Sequence, residues 1–273
     1  MAQQNQDNLQ FSRFIELESI DSTNNYALDL VRAKNLTDRQ SATLHGCTVF
    51  AHEQREGKGQ RGKRWSSAAG ENVQMSLILT PHPLKLHRQF VLSAMIALAV
   101  RDFMAEKSGK EFYIKWPNDI YFQDRKAGGI LIENIISGND WKWAVAGIGL
   151  NINQTEFDPA LPNPVSLKQI AGREFDCLEL ARELSIGFFN TFGNYFLGNA
   201  SHPASRIPNP APRTPHLLSE YNKHLYKRGQ KVKLKKDNRV FEAVIKEVAE
   251  NGQLIVETAI EERFDFGEIG FII

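Results

Sequence analysis

Gly57-Lys58-Gly59-Gln60-Arg61-Gly62-Lys63-Arg64-Trp65 has two incompatible readings, and they lead to different structures. Its first seven residues fit G-x-x-x-x-G-K, the phosphate loop that follows a strand and opens a helix. The match fails at the next position. Arg64 stands where Ser or Thr would offer Mg2+ a hydroxyl, and Trp65-Ser66-Ser67-Ala68-Ala69-Gly70 is a poor first turn of a helix. The phosphate loop is therefore rejected, and residues 55–70 are read as loop between strands at 48–54 and 73–80. Three glycines let this backbone approach a ligand and expose its N–H groups, while interleaved cations supply charge for a phosphate or carboxylate. In isolation, a mobile hairpin tip made soluble by its charge is an equally good reading.

Working outward, residues 14–20 alternate as a strand does. Residues 21–32 carry a helix-start signal followed by Ala27, Leu28, Leu30 and Val31. Residues 88–104 are apolar nearly all round and predict a central helix. A short strand at 111–115 ends on Trp116-Pro117-Asn118-Asp119. Strands at 119–122 and 129–136 flank Gln123-Asp124-Arg125-Lys126, read as a hairpin loop. A strand at 143–153 and a helix at 177–196 follow. Residues 198–216, with prolines at 203, 208, 210, 212 and 215, form a linker or surface excursion, and 217–226 a short helix. From Lys231 the pattern turns period-two, with turns at Asp237-Asn238 and Asn251-Gly252. The expected fold class is α+β, with a mixed, mainly antiparallel sheet and helices at 14–226, then a small β-barrel-like domain at 227–273. Residues 1–13 are expected to be frayed.

Composition limits the function. The 273 residues hold 33 Lys and Arg against 32 Asp and Glu, so the whole molecule has no nucleic-acid or membrane signature. Cys47 and Cys177 are the two cysteines, in no Cys-x-x-Cys pair, so no disulfide framework or zinc site is indicated and a reducing cytoplasm is expected. The apolar run at 90–100 is too short to span a bilayer, and MAQQNQDNLQ lacks the layout of a signal peptide. The seven histidines show no metal-ligand spacing.

Three further motifs stand out, each beside a plainer reading. In Lys115-Trp116-Pro117-Asn118-Asp119 a stiff turn presents an amide and a carboxylate, with Lys126 as a lone cation beyond it; taken alone, Lys126 is more often a surface lysine. Asp21-Ser22-Thr23-Asn24 is usually no more than a helix N-cap, but its small polar groups could line a pocket for a neutral polar ligand. Gly147-Ile148-Gly149-Leu150-Asn151 could be a strand whose glycines admit an adjacent flat group, with Asn151 bonding that group.

Taken in order, these motifs resemble the biotin–protein ligase family: Ser-Thr-Asn before the first helix, a Gly-basic loop ending in Trp, Lys-Trp-Pro-Asn-Asp, Lys-x-x-Gly-Ile-Leu at Lys126 to Leu131, and Gly-x-Asn at Gly149 to Asn151. The resemblance runs from about residue 14 to the C-terminus and matches the short form without an N-terminal DNA-binding domain. It implies a class II synthetase-like fold with an SH3-like second domain. It also implies a ligase that makes biotinyl-5'-AMP and pyrophosphate from biotin and ATP, with Mg2+ accompanying the nucleotide, and then biotinylates a lysine. Ser22, Thr23, Asn24 and Gln54 would bond the ureido ring. Gly57, Lys58, Gly59 and Gln60 would close over biotin, and Arg61, Gly62 and Trp65 over the nucleotide. Lys126 would meet the biotin carboxylate and α-phosphate, and Asn118, Asp119 and Asn151 would lie near the phosphates and ribose. Lys126, Lys58 and Asp119 would be the catalytic groups, and no metal-ligand set is specified. Lys58 and Gln60 depart from the arginines of well-known members, Gln60 losing the charge. The C-terminal Phe266-Gly267-Glu268-Ile269-Gly270 lacks the basic residue that often follows, so no nucleotide contact is expected there.

The implied partner is the biotin carboxyl carrier protein or domain of a biotin-dependent carboxylase. A homodimer is allowed, and neither DNA nor membrane is expected. About 13 residues precede the first strand, whereas a helix-turn-helix domain needs on the order of 50. Lipoate–protein ligase is the nearest rival, but its Arg-Arg-x-Ser-Gly-Gly-Gly-type loop is missing. A nucleic-acid-binding role would rest on the cations of 227–239, which alternate with apolar residues as on one solvated strand face.

Overall fold

The computed structural model describes residues 13–33, 43–197 and 214–272. Alternating Phe14–Ile20 (β1) and apolar Thr48–Gln54 (β2) pair in parallel at one edge of a seven-stranded sheet. The helix Thr23–Arg32 (α1) lies between them in sequence. The other strands are antiparallel: Asn72–Leu79 (β3), Tyr113–Lys115 (β4), Asp119–Phe122 (β5), Arg125–Ser137 (β6) and Asp140–Asn151 (β7). Their order is β1-β2-β3-β7-β6-β5-β4. The sheet is mixed and mainly antiparallel, as expected.

β3 shows how the sheet divides its faces. Val73, Met75, Leu77 and Leu79 join the large core with the helix Gln89–Ser108 (α2) and with Cys177–Leu197 (α4). Ile78 joins a second cluster with Ala27, Leu28 and Val31 of α1. Asn72, Gln74 and Ser76 share the face of Ile78 by the period-two rule and are also buried. α2 is apolar all round because it is buried on most sides, from Phe90 to Met104.

The short helix Leu167–Ala171 (α3), closed by a Ser166/Gln169 capping box, and Thr214–Lys223 (α5) complete the larger part. A second, antiparallel sheet follows: Lys231–Lys236 (β8), Arg239–Val248 (β9), Leu254–Glu257 (β10), Glu261–Phe264 (β11) and Gly270–Ile272 (β12). Its order is β11-β10-β9-β8-β12. It is docked firmly. Leu234, Ile245, Leu254 and Phe264 join the large core, and Asn222 exchanges two hydrogen bonds with the backbone of Val248, at 3.0 and 2.7 Å. No helix among the described residues is long and apolar enough to cross a membrane.

Several expected boundaries move. The hairpin turn is Gln123-Asp124 alone, so Arg125 and Lys126 belong to β6 rather than to a loop. The helix expected at 217–226 spans Thr214–Lys223, taking the last residues assigned to the linker. α3, β11 and β12 were not anticipated, being too short to show a period. The frayed segment, apart from Arg13, and 198–213 of the proline-rich segment lie outside the described residues.

Candidate active site

A cavity of about 430 Å³ opens between the sheet, the glycine-rich loop and the second sheet. Ser22, Thr23, Asn24, Gln54, Lys58, Gly59, Gln60, Arg61, Trp65, Asn118, Asp119, Lys126 and Asn151 all line it. Gly57 and Gly62 are the expected site residues that do not; both line a neighbouring groove that shares Lys58 and Gly59 with the cavity. A Cβ on Gly57 would come within 2.4 Å of the Trp65 carbonyl oxygen, so Gly57 lets the loop close on itself. Trp65 N–H donates to that glycine's carbonyl at 2.8 Å, and Lys58 and Arg64 form a bridge above it.

One part of the cavity is a neutral wall. Ser22 occupies the N-cap position of α1 but makes no side-chain cap bond, so its hydroxyl is not spent on the helix end. Thr23 donates to Gln54 Oε1 from both its backbone N–H, at 2.7 Å, and its hydroxyl, at 3.0 Å. Asn24 donates through Nδ2 to Glu133 Oε2 at 2.8 Å, and its Oδ1 receives Ser76 Oγ–H at 2.6 Å. A Cβ on Gly147 would lie 2.4 Å from Asn24 Oδ1, so this glycine makes room for the amide.

The other part is charged. Asp119 and Lys115 are cross-strand partners and share a face of the sheet. Lys126 reaches the same face through a β-bulge. Asp119 pairs with Gly129 and Ile120 with Gly128, but Tyr121 pairs with Lys126, leaving Ala127 as the extra residue. Without that slip Lys126 would sit opposite Phe122 and point to the other face. Lys126 is thus no lone cation: its Nζ lies 2.7 Å from Asp119 Oδ1 and 5.8 Å from the centre of the Trp65 ring. Lys115 donates to Tyr121 Oη at 3.1 Å and lies over the rings of Tyr121 and Phe271. Burial, aided by Lys126 and Lys63 and opposed by Asp119, brings its ammonium down to about 8. Burial likewise pushes the Tyr121 hydroxyl up.

Gly149 explains the flat group expected on β7. A Cβ there would fall within 2.5 Å of the Trp65 indole, so the glycine admits the ring. Asn151 does not bond that ring: its Nδ2 donates to the carbonyls of Lys126 and Val165, at 3.3 and 3.2 Å. Asn118 Nδ2 donates to Ile130 O at 2.6 Å. Both amides therefore hold the strands that carry Lys126 and Gly129.

The sequence reading missed three contributors. Lys115 belonged to a quoted motif but was given no role. Gln74 and Ser76 alternate with Val73, Met75 and Leu77 in a strand buried along its whole length; polar residues at every second place of such a strand are the signal that could have found them. The C-terminal segment also contributes to the cavity. Phe266, Gly267, Ile269, Gly270 and Phe271 line the cavity, and Arg61, with left-handed backbone at φ 56°, donates to Gly267 O at 2.9 Å. Contacts between residues some two hundred positions apart have no local signature.

Fold and site together define an α+β protein with a cavity that offers a neutral hydrogen-bonding wall beside two lysines. Residues 16–151 match the Biotin/lipoate A/B protein ligase family, and the chain belongs to it. It is 33% identical over 153 residues to the Bifunctional ligase/repressor BirA of Bacillus subtilis (strain 168), covering 55% of this chain and 47% of that one. It is 34% identical over 146 residues to the Biotin--[acetyl-CoA-carboxylase] ligase of Paracoccus denitrificans, covering 51% and 60% respectively. The matches to the first few curated relatives thus span about half their length. The biotin protein ligase of Aquifex aeolicus, solved with biotin and ATP, shares the fold at a TM-score of 0.73 with 22% identity, over 96% of this chain and 99% of that one.

Proposed function

We propose that the protein is a biotin–protein ligase, which forms biotinyl-5'-AMP and pyrophosphate from biotin and ATP and then transfers biotin to a lysine of a biotin carboxyl carrier domain. The observation that carries this reading is the adjacency of two unlike surfaces along β7. Gly147 faces the neutral wall through Asn24, and Gly149 faces Trp65, which Lys126 overlies. A strand advances ~7 Å over two residues, so a short alkyl chain links a head group on the wall to a carboxylate at the lysines. Biotin has this form: a neutral cyclic urea, an alkyl chain and a carboxylate.

In the first step a biotin carboxylate oxygen attacks the α-phosphorus, and the bond to pyrophosphate breaks. Two anions must meet, so fixed positive charge is what the reaction lacks in water. Lys126 and Lys115 supply it beside the reacting atoms, and Asp119 orients Lys126. Lys58, Arg61 and the N–H groups of the glycine-rich loop lie on the nucleotide's approach. In the second step a neutral lysine amine of the carrier attacks the mixed anhydride, AMP leaves with the bonding pair, and the amine loses a proton. Enclosure by the loop limits hydrolysis of the anhydride. Mg2+ enters as part of the nucleotide substrate. Among the described residues, no group of three or more His, Cys, Asp or Glu is placed to hold a metal, and Asp119 is the carboxylate lining the cavity.

ATP–pyrophosphate exchange tests the reading. Exchange that requires biotin and is not supported by lipoate is expected. Exchange supported by lipoate alone would make the chain a lipoate ligase.

A further inference from the structure

We propose that Ser76 and Gln74, which lie behind the neutral wall, are positioning residues that fix the direction of its hydrogen bonds, so that Thr23 and Gln54 meet the ligand as acceptors. This rests on the reading that the ligand is biotin, whose cyclic urea carries two N–H donors.

The direction follows from backbone groups whose polarity cannot change. Thr23 N–H can only donate, so the Gln54 atom 2.7 Å from it is the oxygen. The Gln54 nitrogen then faces Gln74 at 3.0 Å, and the Gln74 atom that receives it is also an oxygen. The Gln74 nitrogen is left toward the His52 carbonyl, 3.5 Å away, which can only accept. The half-buried Gln54 amide and the buried Gln74 amide are thus held in one orientation by a backbone donor at one end and a backbone acceptor at the other. Gln74 is 1% exposed and cannot turn to water for a different partner.

Ser76 acts on the hydroxyl. Its Oγ lies 2.6 Å from Asn24 Oδ1 and 2.8 Å from Thr23 Oγ1, and its one hydrogen serves one of them at a time. Asn24 Oδ1 has no hydrogen to give, because the Asn24 nitrogen is engaged by Glu133. When Ser76 donates to Asn24, its own lone pairs are open to the Thr23 hydrogen. That hydrogen therefore has two places to go, Gln54 Oε1 and Ser76 Oγ, and both are inside the protein. In the second arrangement Gln54 Oε1 keeps Thr23 N–H and frees a lone pair for the cavity. Thr23 and Gln54 then each accept one ligand N–H with no heavy atom moved. Ser76, fully buried, is the sink that makes this rearrangement available.

Binding of biotin and of desthiobiotin, which keeps the cyclic urea, is measured calorimetrically for the intact chain and for Ser76→Ala and Gln74→Met, with thermal melts alongside. Each variant is expected to weaken both ligands about tenfold, the scale of one hydrogen bond. kcat at saturating biotin and KM for ATP should not change. Ser76→Ala placed on Thr23→Val should cost nothing further, since Ser76 works through the Thr23 hydroxyl. Unchanged biotin affinity in folded Ser76→Ala or Gln74→Met, an equal rise in KM for ATP, or additive losses in the double variant would each overturn the proposal. The two single variants act on opposite sides of Thr23, so if one does not fold the other decides. Failure of the unmodified chain to bind biotin would instead sink the functional reading, and this inference with it.

Discussion

The two surfaces of the cavity are built on opposite principles. At the neutral wall, nearly every hydrogen already has a partner inside the protein, through Thr23, Asn24, Gln54, Gln74 and Ser76. At the charged surface Lys126 pairs with Asp119, while Lys115 across the strand from Asp119 is buried enough to be brought down to about 8. A network of neutral groups can be completed before the ligand arrives and selects by direction. A surplus of buried cations cannot be completed without an anion, so it binds and activates in the same event.

Three measurements would break or sharpen that contrast. The largest effect is expected for Lys126→Ala, which removes one fixed charge from the reacting atoms and should slow biotinyl-AMP formation by about two orders of magnitude or more. The wall lies outside this change, so biotin binding should fall far less than the rate. Near-normal adenylation by a folded Lys126→Ala protein would end the claim that this surface is catalytic.

A moderate effect is expected for pH. Lys115 is charged below about 8 and loses its proton above it, so kcat/KM for ATP should fall as pH rises through that value. Lys115→Arg keeps its charge and should move the fall to higher pH. Affinity for biotin in the absence of ATP, to which the neutral wall also contributes, should follow this profile far more weakly. A common profile for both substrates would mean that the two surfaces are not separate.

The smallest effect concerns the loop. Gln60 Nε2 makes a 3.4 Å bond to Ile130 O and brings no charge to the adenylate. Gln60→Arg should slow release of free biotinyl-AMP by about threefold, as one partly exposed charge contact would. Hydrogen exchange across residues 55–65 should slow when the adenylate binds, because the cations at 55, 58, 61, 63 and 64 repel one another until an anion is present. Equal protection with and without the adenylate would separate loop ordering from anion binding.

Much of this was legible in the chain. The alternating run at 14–20 and the strand read at 48–54 fell on β1 and β2 to the residue, because strands leave a strong local pattern. The motifs from Ser22, Gly57, Lys115 and Gly149 converge on one cavity. The short elements α3, β11 and β12 were not legible, since three to five residues are too few to set a period. The share of the C-terminal segment in the cavity was not legible either, since Phe266, Phe271 and the Gly267 carbonyl make it through contacts with distant parts of the chain.

The sequence by itself determined which residue types reach the cavity, because short motifs dictate their own turns and strands. It could not determine which way those residues face. Lys126 lies on the side of Asp119 only because one residue of β6 bulges against β5, and a strand without the bulge would carry the same sequence with the lysine on the opposite side. The wall depends in the same way on β3 bringing Ser76 against Thr23 and Asn24 at the start of α1, and Gln74 against Gln54 of β2. Direction in a sheet is set by register, and register is a property of paired strands, which no single stretch of sequence contains.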